Sequence, residues 1–433
     1  MRKNFIEELK WRRMLHDVMP GTEELLQKEL VCGYIGFDPT ADSLGLGNLV
    51  QVMTLLHFQQ CGHKPIALVG GATGMVGDPS GKSSERNLLD EKTLQYNLSA
   101  QKKQLEKFLN FDCGENSALI VNNYDWFKEI SFLSFIRDVG KHITVNYMMA
   151  KESVKKRIAG DEREGMSFTE FSYQLIQGYD FYHLWKHHGV KLQMGGSDQL
   201  GNIYTGTELI RRKDGGDAWG LSTHLIKKAD GTKFGKTESG NIWLDPKRTS
   251  PYDFYQFWLN AADLDTENYI RIFTLKGKEE IEKLELEHQA EPHLRKLQKI
   301  VAENITIRVH GQQALDAVLN VTEIFMSKDA VDRITALDTQ QFLGMLANSG
   351  TASIAITKSE MDAGVGVVEL LTSHTKMFDS NGDAMKMIKG NGVSLNKQKV
   401  TDPKMIVNVS NLINGKYILL QKGKNDFCVG RVV

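Results

Sequence analysis

Apolar residues change their spacing several times along this chain, and the changes mark its parts. Phe5, Ile6, Leu9, Met14, Leu15 and Val18 recur at helical intervals, so the chain is expected to open with an amphipathic helix. Residues 31–37 then form an apolar run that ends in Asp38-Pro39-Thr40 and reads as a buried strand. Leu49, Val50, Val52, Met53, Leu55, Leu56 and Phe58 predict a helix buried on most faces, stopping near Gly62, and residues 65–69 predict another buried strand. Strand, helix and strand in this order imply a parallel pair joined by a right-handed crossover. Ligands of such sheets gather at the carboxyl ends of the strands, where residues 34–40 and 70–78 fall.

Further on, a polar-faced helix is expected over 94–109, a strand over 119–121 and two inserted helices over 132–139 and 151–158. A long helix over 168–187 precedes a strand over 190–194, which runs into Gly195-Gly-Ser-Asp-Gln199. A helix over 203–212, a strand over 221–227 and a turn-rich loop over 229–237 follow. Beyond Pro251 the pattern is helical without strands, over 252–259, 279–286 and 294–317. Residues 333–356 lose long periodicity, as a linker or a small adaptor does. Short helices over 364–371 and 384–389 then lead to two hairpins, over 393–400 and 417–429. The expected architecture is an α/β catalytic domain on a Rossmann-like parallel sheet with a helical insertion (1–245), a helical domain (246–330), a linker (331–363) and a small α+β module (364–433).

Composition changes this picture in two places. The 433 residues are 41 % apolar, enough for two or three domains with a sizeable core, and the net charge of −1 neither demands nor excludes nucleic acid. The charge is unevenly spread: from Lys386 to Val433 there are nine Lys and Arg against two Asp and Glu. A basic terminal module is an electrostatic footprint for a phosphate backbone. Cys32, Cys61, Cys113 and Cys428 are scattered, which indicates neither a zinc site nor a disulfide framework. The charged first ten residues lack a signal core and no run is long enough to span a membrane, so a reducing cytoplasm is the expected home.

The candidate chemistry lies at the predicted strand ends. A glycine-rich helix start at Gly45-Leu-Gly-Asn48 leaves backbone N–H groups unpaired and positive, as an anion requires. Lys233-Phe-Gly-Lys-Thr237 offers two mobile ammonium groups far downstream. Together they point to a triphosphate held between a helix start and a lysine loop. The glycine-rich stretch 70–83 is not a phosphate loop of the GxxxxGKS type, because Val76 stands where a glycine is required, and the dinucleotide fingerprint fails at Val50. Lys82 and Arg86 lie beside Asp78 on a polar loop and are candidates for phosphate contact. Tyr173, Gln177 and Asp180 share one face of a mostly buried helix. Buried polar groups need partners, so they either pair internally or meet a polar ligand.

Taken in order, Tyr34–Thr40, Gly70–Asp78, Tyr173–Asp180, Gly195–Gln199 and Lys233–Thr237 resemble the motifs of the bacterial tyrosyl-tRNA synthetases, a branch of the class I aminoacyl-tRNA synthetases. The resemblance runs through nearly the whole chain, and the tail resembles an S4-like RNA-binding domain. It implies a ligase that activates L-tyrosine with ATP, Mg2+ accompanying the nucleotide, and passes the tyrosyl group to tRNA(Tyr). It also implies a homodimer. By resemblance, Tyr34 and Asp180 take the substrate's phenolic hydroxyl, Asp78, Tyr173 and Gln177 its α-ammonium, and Gln199 its carboxylate side. Gly36, Asp38, Gly47, Asp198 and Lys236 border ATP, while Thr40, Asn48, Lys82, Arg86, Lys233 and Lys236 stabilise the departing pyrophosphate. Two departures stand out. Gly45 replaces the first histidine of the family's His-x-Gly-His motif, and Leu200 replaces a tryptophan. Gly45 motivates an alternative reading, a synthetase-like tRNA-binding protein with impaired activation. A tryptophan-specific sister enzyme and a nucleotide-dependent dehydrogenase are further alternatives. The Tyr34/Asp180 pair speaks against the first and the failed fingerprint against the second.

Overall fold

A computed structural model describes residues 2–80, 89–151, 154–155, 166–237 and 240–433. The chain divides into two compact units: Met1–Leu244 with Ala262–Leu297, and Asp245–Ala261 with Gln298–Val433.

The first unit is built on a six-stranded sheet of β1 (Leu15–Val18), β2 (Cys32–Phe37), β3 (Lys64–Val69), β4 (Leu119–Asn122), β5 (Val190–Gly196) and β6 (Trp219–Thr223). The spatial order is β1-β6-β5-β2-β3-β4. All neighbours are parallel except β1, which runs antiparallel to β6. The order reverses between β2 and β5, which is the switch point where a crevice opens at the carboxyl ends of such a sheet. Both glycine-rich junctions, after β2 and after β5, therefore flank one crevice.

The helix Leu46–Gln60 leaves the first junction and is buried along most of its length, because it packs on β3 and on the helix Asp263–Phe273. His57 Nε2 lies 3.0 Å from the carbonyl of Ile272. The helix Phe168–His188 is capped by Ser167, whose hydroxyl accepts from Glu170 N, and ends at Gly189 with φ +64°. It packs closely on the helix Leu200–Asp214, because Gly178 and Gly206 sit at the crossing. A Cβ on Gly206 would come within 2.7 Å of the Phe181 ring. A short hairpin of β7 (Lys236–Thr237) and β8 (Gly240–Asn241) carries the lysine loop.

Four sequence expectations are corrected. The opening helix spans only Phe5–Trp11; Arg13 turns left-handed at φ 59°, and Leu15–Val18 become an edge strand. Met14, Leu15 and Val18 mimic helical spacing because a half-buried edge strand needs few apolar positions. The helical stretch after 245 does not hold together: Ala262–Leu297 folds with the catalytic sheet, and Arg12 donates to the carbonyls of Arg271, Thr274 and Lys276. The helix expected over 294–317 breaks at Gly311, with φ +90°. Finally, 331–363 is no linker. It holds the helices Ala330–Ala336 and Thr339–Ser349, the strand β9 (Ser353–Ile356) and the helix Lys358–Ala363. Most of the helix expected over 151–158 lies outside the described residues.

In the second unit β10 (Val365–Gly366) pairs with β13 (Ile406–Val407). A five-stranded sheet combines β9 with β11 (Val393–Leu395), β12 (Gln398–Lys399), β14 (Tyr417–Lys422) and β15 (Asp426–Val432), in the order β12-β11-β14-β15-β9. The two expected hairpins, β11–β12 and β14–β15, are present. β9 joins in parallel to β15, so the stretch read as a linker is stitched into the terminal module. Three of the nine basic side chains of the tail serve internal contacts. Lys397 Nζ donates to the carbonyl of Phe325 at 2.6 Å, Lys422 Nζ to that of Met377 at 2.7 Å, and Lys416 Nζ to Thr339 at 3.1 Å. Lys386, Lys389, Lys399, Lys404, Lys424 and Arg431 are exposed.

Candidate active site

The crevice between β2 and β5 holds a cavity of about 510 Å3, within the range of small-molecule sites. It gathers twelve of the sequence candidates: Tyr34, Gly36, Asp38, Thr40, Gly47, Asn48, Asp78, Tyr173, Gln177, Asp180, Asp198 and Gln199.

Its floor is built for one polar group in apolar surroundings. Tyr34 sits on β2 opposite Ile66 of β3 and Gln193 of β5, is 1 % exposed, and packs edge-on against Phe181. Its hydroxyl is buried without a hydrogen-bond partner. Asp180, also 1 % exposed, faces the same cavity from the helix Phe168–His188. Trp126 Nε1 donates to Asp180 Oδ1 at 2.9 Å and Asn123 Nδ2 to Oδ2 at 3.1 Å. Burial drives the Asp180 carboxyl well above the usual carboxylate range, the charge of Asp38 adds to this, and the two donors oppose it. Burial, and then Asp180, likewise raise the Tyr34 phenol. An indole N–H and an amide N–H can only donate, so each oxygen of Asp180 accepts one of these bonds and the carboxyl group is held in place. An unpaired hydroxyl and a fixed carboxylate at the closed end of a cavity suit a ligand carrying a hydroxyl of its own.

Above the floor run two hydrogen-bonded chains, one through Asp38 and one through Asp78. Asn123 Nδ2 also donates to Thr73 Oγ1 at 3.1 Å, and Thr73 Oγ1 to Asp38 Oδ1 at 2.7 Å. The hydroxyl of Tyr173 donates to Asp38 Oδ2 at 2.9 Å. Asp38 is thus joined to the Tyr173 side of the cavity, a connection the sequence did not reveal. Asp78 accepts from Gln199 Nε2 at 2.7 Å and from the backbone of Ser80 at 2.9 Å. Gln177 Nε2 donates to Gln199 Oε1 at 3.2 Å. Asp78, Tyr173 and Gln177 together offer acceptors to a cation. Sequence reasoning passed over Thr73, Asn123, Trp126 and Asn202. Asn123 directly follows β4, so a strand-end rule applied there would have found it.

The other end of the cavity is made of backbone. Gly45 has φ −95° and ψ 174° and precedes the helix Leu46–Gln60. Its N–H donates to Asn48 Oδ1 at 3.1 Å, which leaves the Asn48 amide nitrogen as that residue's donor. A Cβ on Gly47 would meet nothing within 4 Å, so a bulky anion can approach the backbone there. Thr40 and Asp198 are exposed at the rim. Gly196 is closely approached: a Cβ would lie 2.6 Å from Asp198 Oδ1 and 2.9 Å from Leu225, so both side chains would have to shift.

The lysine loop is anchored beside this helix start. Phe234 is buried and packs on Tyr269 and Phe273. Gly235 adopts φ +76° against Leu46, where a Cβ would come within 2.9 Å. Ile242 N donates to Gly235 O, and Leu46 N to Ile242 O. The backbone thus brings the loop to the helix N-terminus, while Lys233 and Lys236 are exposed and do not line the cavity. Lys82 and Arg86 lie outside the described residues.

Comparison with known proteins gives concordant findings. A family profile described as tRNA synthetases class I (W and Y) matches residues 27–327. A second, the tyrosine–tRNA ligase SYY-like C-terminal domain, matches residues 348–429. A tyrosine–tRNA ligase from Bacteroides fragilis is 56 % identical over 98 % of both chains, and one from Cytophaga hutchinsonii is 57 % identical over 98 % of both. Among solved structures, a C-terminally truncated mitochondrial tyrosyl-tRNA synthetase from Aspergillus nidulans aligns with a TM-score of 0.67 and 30 % identity, covering 75 % of this chain and 94 % of its own.

Proposed function

The chain belongs to the class I tRNA synthetases of the tryptophan and tyrosine group, and on that premise we propose that it ligates tyrosine to tRNA(Tyr) in two steps. The tyrosine carboxylate attacks the α-phosphorus of ATP, the bond to the β-phosphate oxygen breaks, and tyrosyl-adenylate and pyrophosphate form. A hydroxyl of the terminal ribose of the tRNA then attacks the tyrosyl carbonyl, the mixed-anhydride bond breaks, and AMP leaves. The observation that carries the tyrosine assignment is the buried, unpartnered hydroxyl of Tyr34 in one cavity with Asp180. The phenol donates to Asp180 and accepts from Tyr34. Asp78, Tyr173 and Gln177 take the α-ammonium, and Gln199 borders the carboxylate. Gly36, Gly47 and Asp198 flank the nucleotide, with Asp38 between it and Tyr173. Thr40, Asn48, Lys82, Arg86, Lys233 and Lys236 meet the pyrophosphate. Catalysis is positioning plus charge stabilisation, with no covalent enzyme intermediate. Among the described residues no cluster of three His, Cys, Asp or Glu side chains is placed to hold a metal ion. In this reading Mg2+ accompanies ATP, held mainly by its phosphates. Tyrosine-dependent ATP–pyrophosphate exchange tests the reading, with phenylalanine and tryptophan as competitors. Exchange driven best by tryptophan, or none above background, would overturn it. The reading as a tRNA-binding protein with impaired activation is not favoured by full-length relatives that are ligases.

The exposed face of the terminal module supplies the RNA contacts in this reading, and the unit of residues 1–244 with 262–297 supplies the chemistry. Lys386 and Lys389 protrude from the helix Asn381–Lys389. Reversing both, Lys386→Glu with Lys389→Glu, is expected to leave pyrophosphate exchange intact and to weaken tRNA charging. The salt dependence of tRNA binding should also fall by roughly 0.7–0.9 log unit for each phosphate that is no longer neutralised. Unchanged charging and an unchanged salt slope would remove these lysines from the interface.

A homodimer completes the proposal. Phe132, Val145 and Phe168 are 66 %, 63 % and 66 % exposed around an apolar hollow of about 700 Å3 in the catalytic unit, and Leu133, 78 % exposed, follows Phe132 on the helix Phe132–Asp138. Apolar patches of this kind mark interaction sites, and a second copy is the occupant that a self-complementary interface requires. Leu133→Glu combined with Phe168→Glu is expected to give monomers in sedimentation equilibrium. Dimers persisting at micromolar concentration would move the interface elsewhere. No helix among the described residues is long and apolar enough to cross a membrane.

A further inference from the structure

Asn202 has no part in the roles assigned above, yet it is the hub of the site's amides. It lies in the first turn of the helix Leu200–Asp214 and is 6 % exposed. Its Nδ2 donates to Gln177 Oε1 at 2.8 Å and lies 3.4 Å from both Gln199 Oε1 and Ser80 Oγ. The polarity of this ring is not free. An ionised carboxylate only accepts, so Asp78 obliges Gln199 to present Nε2 to it. Gln199 Oε1 is then turned inward and needs donors, and Gln177 Nε2 supplies one at 3.2 Å. Gln177 Oε1 is left facing Asn202 Nδ2.

We infer that Asn202 is a positioning residue for tyrosine activation: it carries the polarity set by Asp78 to Gln177 and keeps Gln177 Oε1 an acceptor for the substrate's α-ammonium. The inference rests on the reading that Gln177 takes the ammonium. An amide oxygen has two lone pairs, so one can meet Asn202 and the other the ligand. A flipped Gln177 would set donor against donor at Asn202 and acceptor against acceptor at Gln199. Without the Asn202 donor one of those mismatches disappears. The flipped amide then gains population and points N–H groups at a cation. Unpaired groups in such a network cost most where water is excluded.

Asn202→Asp replaces the donor by a carboxylate of nearly the same shape. In pyrophosphate exchange at about pH 8 it is expected to raise the KM for tyrosine by about tenfold or more while leaving the KM for ATP unmoved. Lowering the pH toward about 6 lets the introduced carboxyl take up a proton and regain a donor, so the tyrosine KM falls relative to the parent at the same pH. Asn202→Ala lacks any donor and is expected to show the KM rise without the pH recovery. It serves in the cycle if the aspartate variant does not fold. Combining either change with Gln177→Ala is expected to be no worse than Gln177→Ala alone. Additive losses, equal rises in the KM for tyrosine and ATP, or an unmoved tyrosine KM would overturn the inference. If Gln177→Ala itself leaves the tyrosine KM unchanged, the ammonium reading falls and the inference with it. If Gln177→Ala raises that KM and the Asn202 variants do not, the inference alone falls.

Discussion

Asp180→Ala is expected to lower kcat/KM for tyrosine by about 10²-fold, and to erase most of the preference for tyrosine over phenylalanine. The change removes the acceptor for the substrate phenol, leaves Trp126 Nε1 without its partner and leaves Asn123 Nδ2 with Thr73 alone. Trp126 is unpaired in the free and the bound variant alike, so only the phenol counts toward kcat/KM; leaving it unpaired costs about 1–3 kcal/mol, whose upper end is about two decades at about 1.4 kcal/mol per decade. The selectivity argument is known for tyrosine-specific enzymes of this very kind: a site that bonds a hydroxyl rejects the analogue lacking it, because its own polar groups are left unpaired. The phosphate end of the cavity is untouched, so the KM for ATP should stay near its parent value. Exchange assays with tyrosine and phenylalanine check both parts. A variant that kept its tyrosine preference would move phenol recognition away from Asp180.

The second large effect is a gain. Gly45→His is expected to speed adenylate formation on the order of 10²-fold, the size of one transition-state hydrogen-bond donor. The structure has room for it. A Cβ at Gly45 would sit 3.5 Å from the carbonyl of Ile242 and 3.9 Å from Asn48 Oδ1, which is ordinary contact. The backbone there is extended, with φ −95°, so a side chain brings no strain. A histidine at this point sits at the start of the helix Leu46–Gln60, next to the lysine loop. Pre-steady-state measurement of adenylate formation on both proteins decides the matter. Equal rates would mean that another group already performs the histidine's task.

Much of the fold was legible because its signals are local. Residues 32–37 and 64–69 are apolar runs too short for helices, and the helix between them is apolar on most faces because it is covered on both sides. The edges misled for the same reason. The edge strand Leu15–Val18 buries too little to show alternation, and β9 is recognisable as a strand only beside β15, some seventy residues on. Charge counting also overreached: Lys397, Lys416 and Lys422 add to the basic tail in the sequence but are engaged within the second unit.

The sequence by itself determined the sheet's core strands, the positions of the glycine-rich junctions and the side chains able to meet a phenol, an ammonium and phosphates. Twelve of those candidates line one cavity, because motifs at the carboxyl ends of parallel strands converge wherever the strand order reverses. Only the tertiary structure decided what holds them. Asn123 and Trp126 reach Asp180 across more than fifty residues of chain, and Asn202 reaches Gln177 from a neighbouring helix. Such partners carry no periodicity and no motif of their own. Their role comes from the direction in which an N–H points, and that is set only when the helices and strands bearing them are packed.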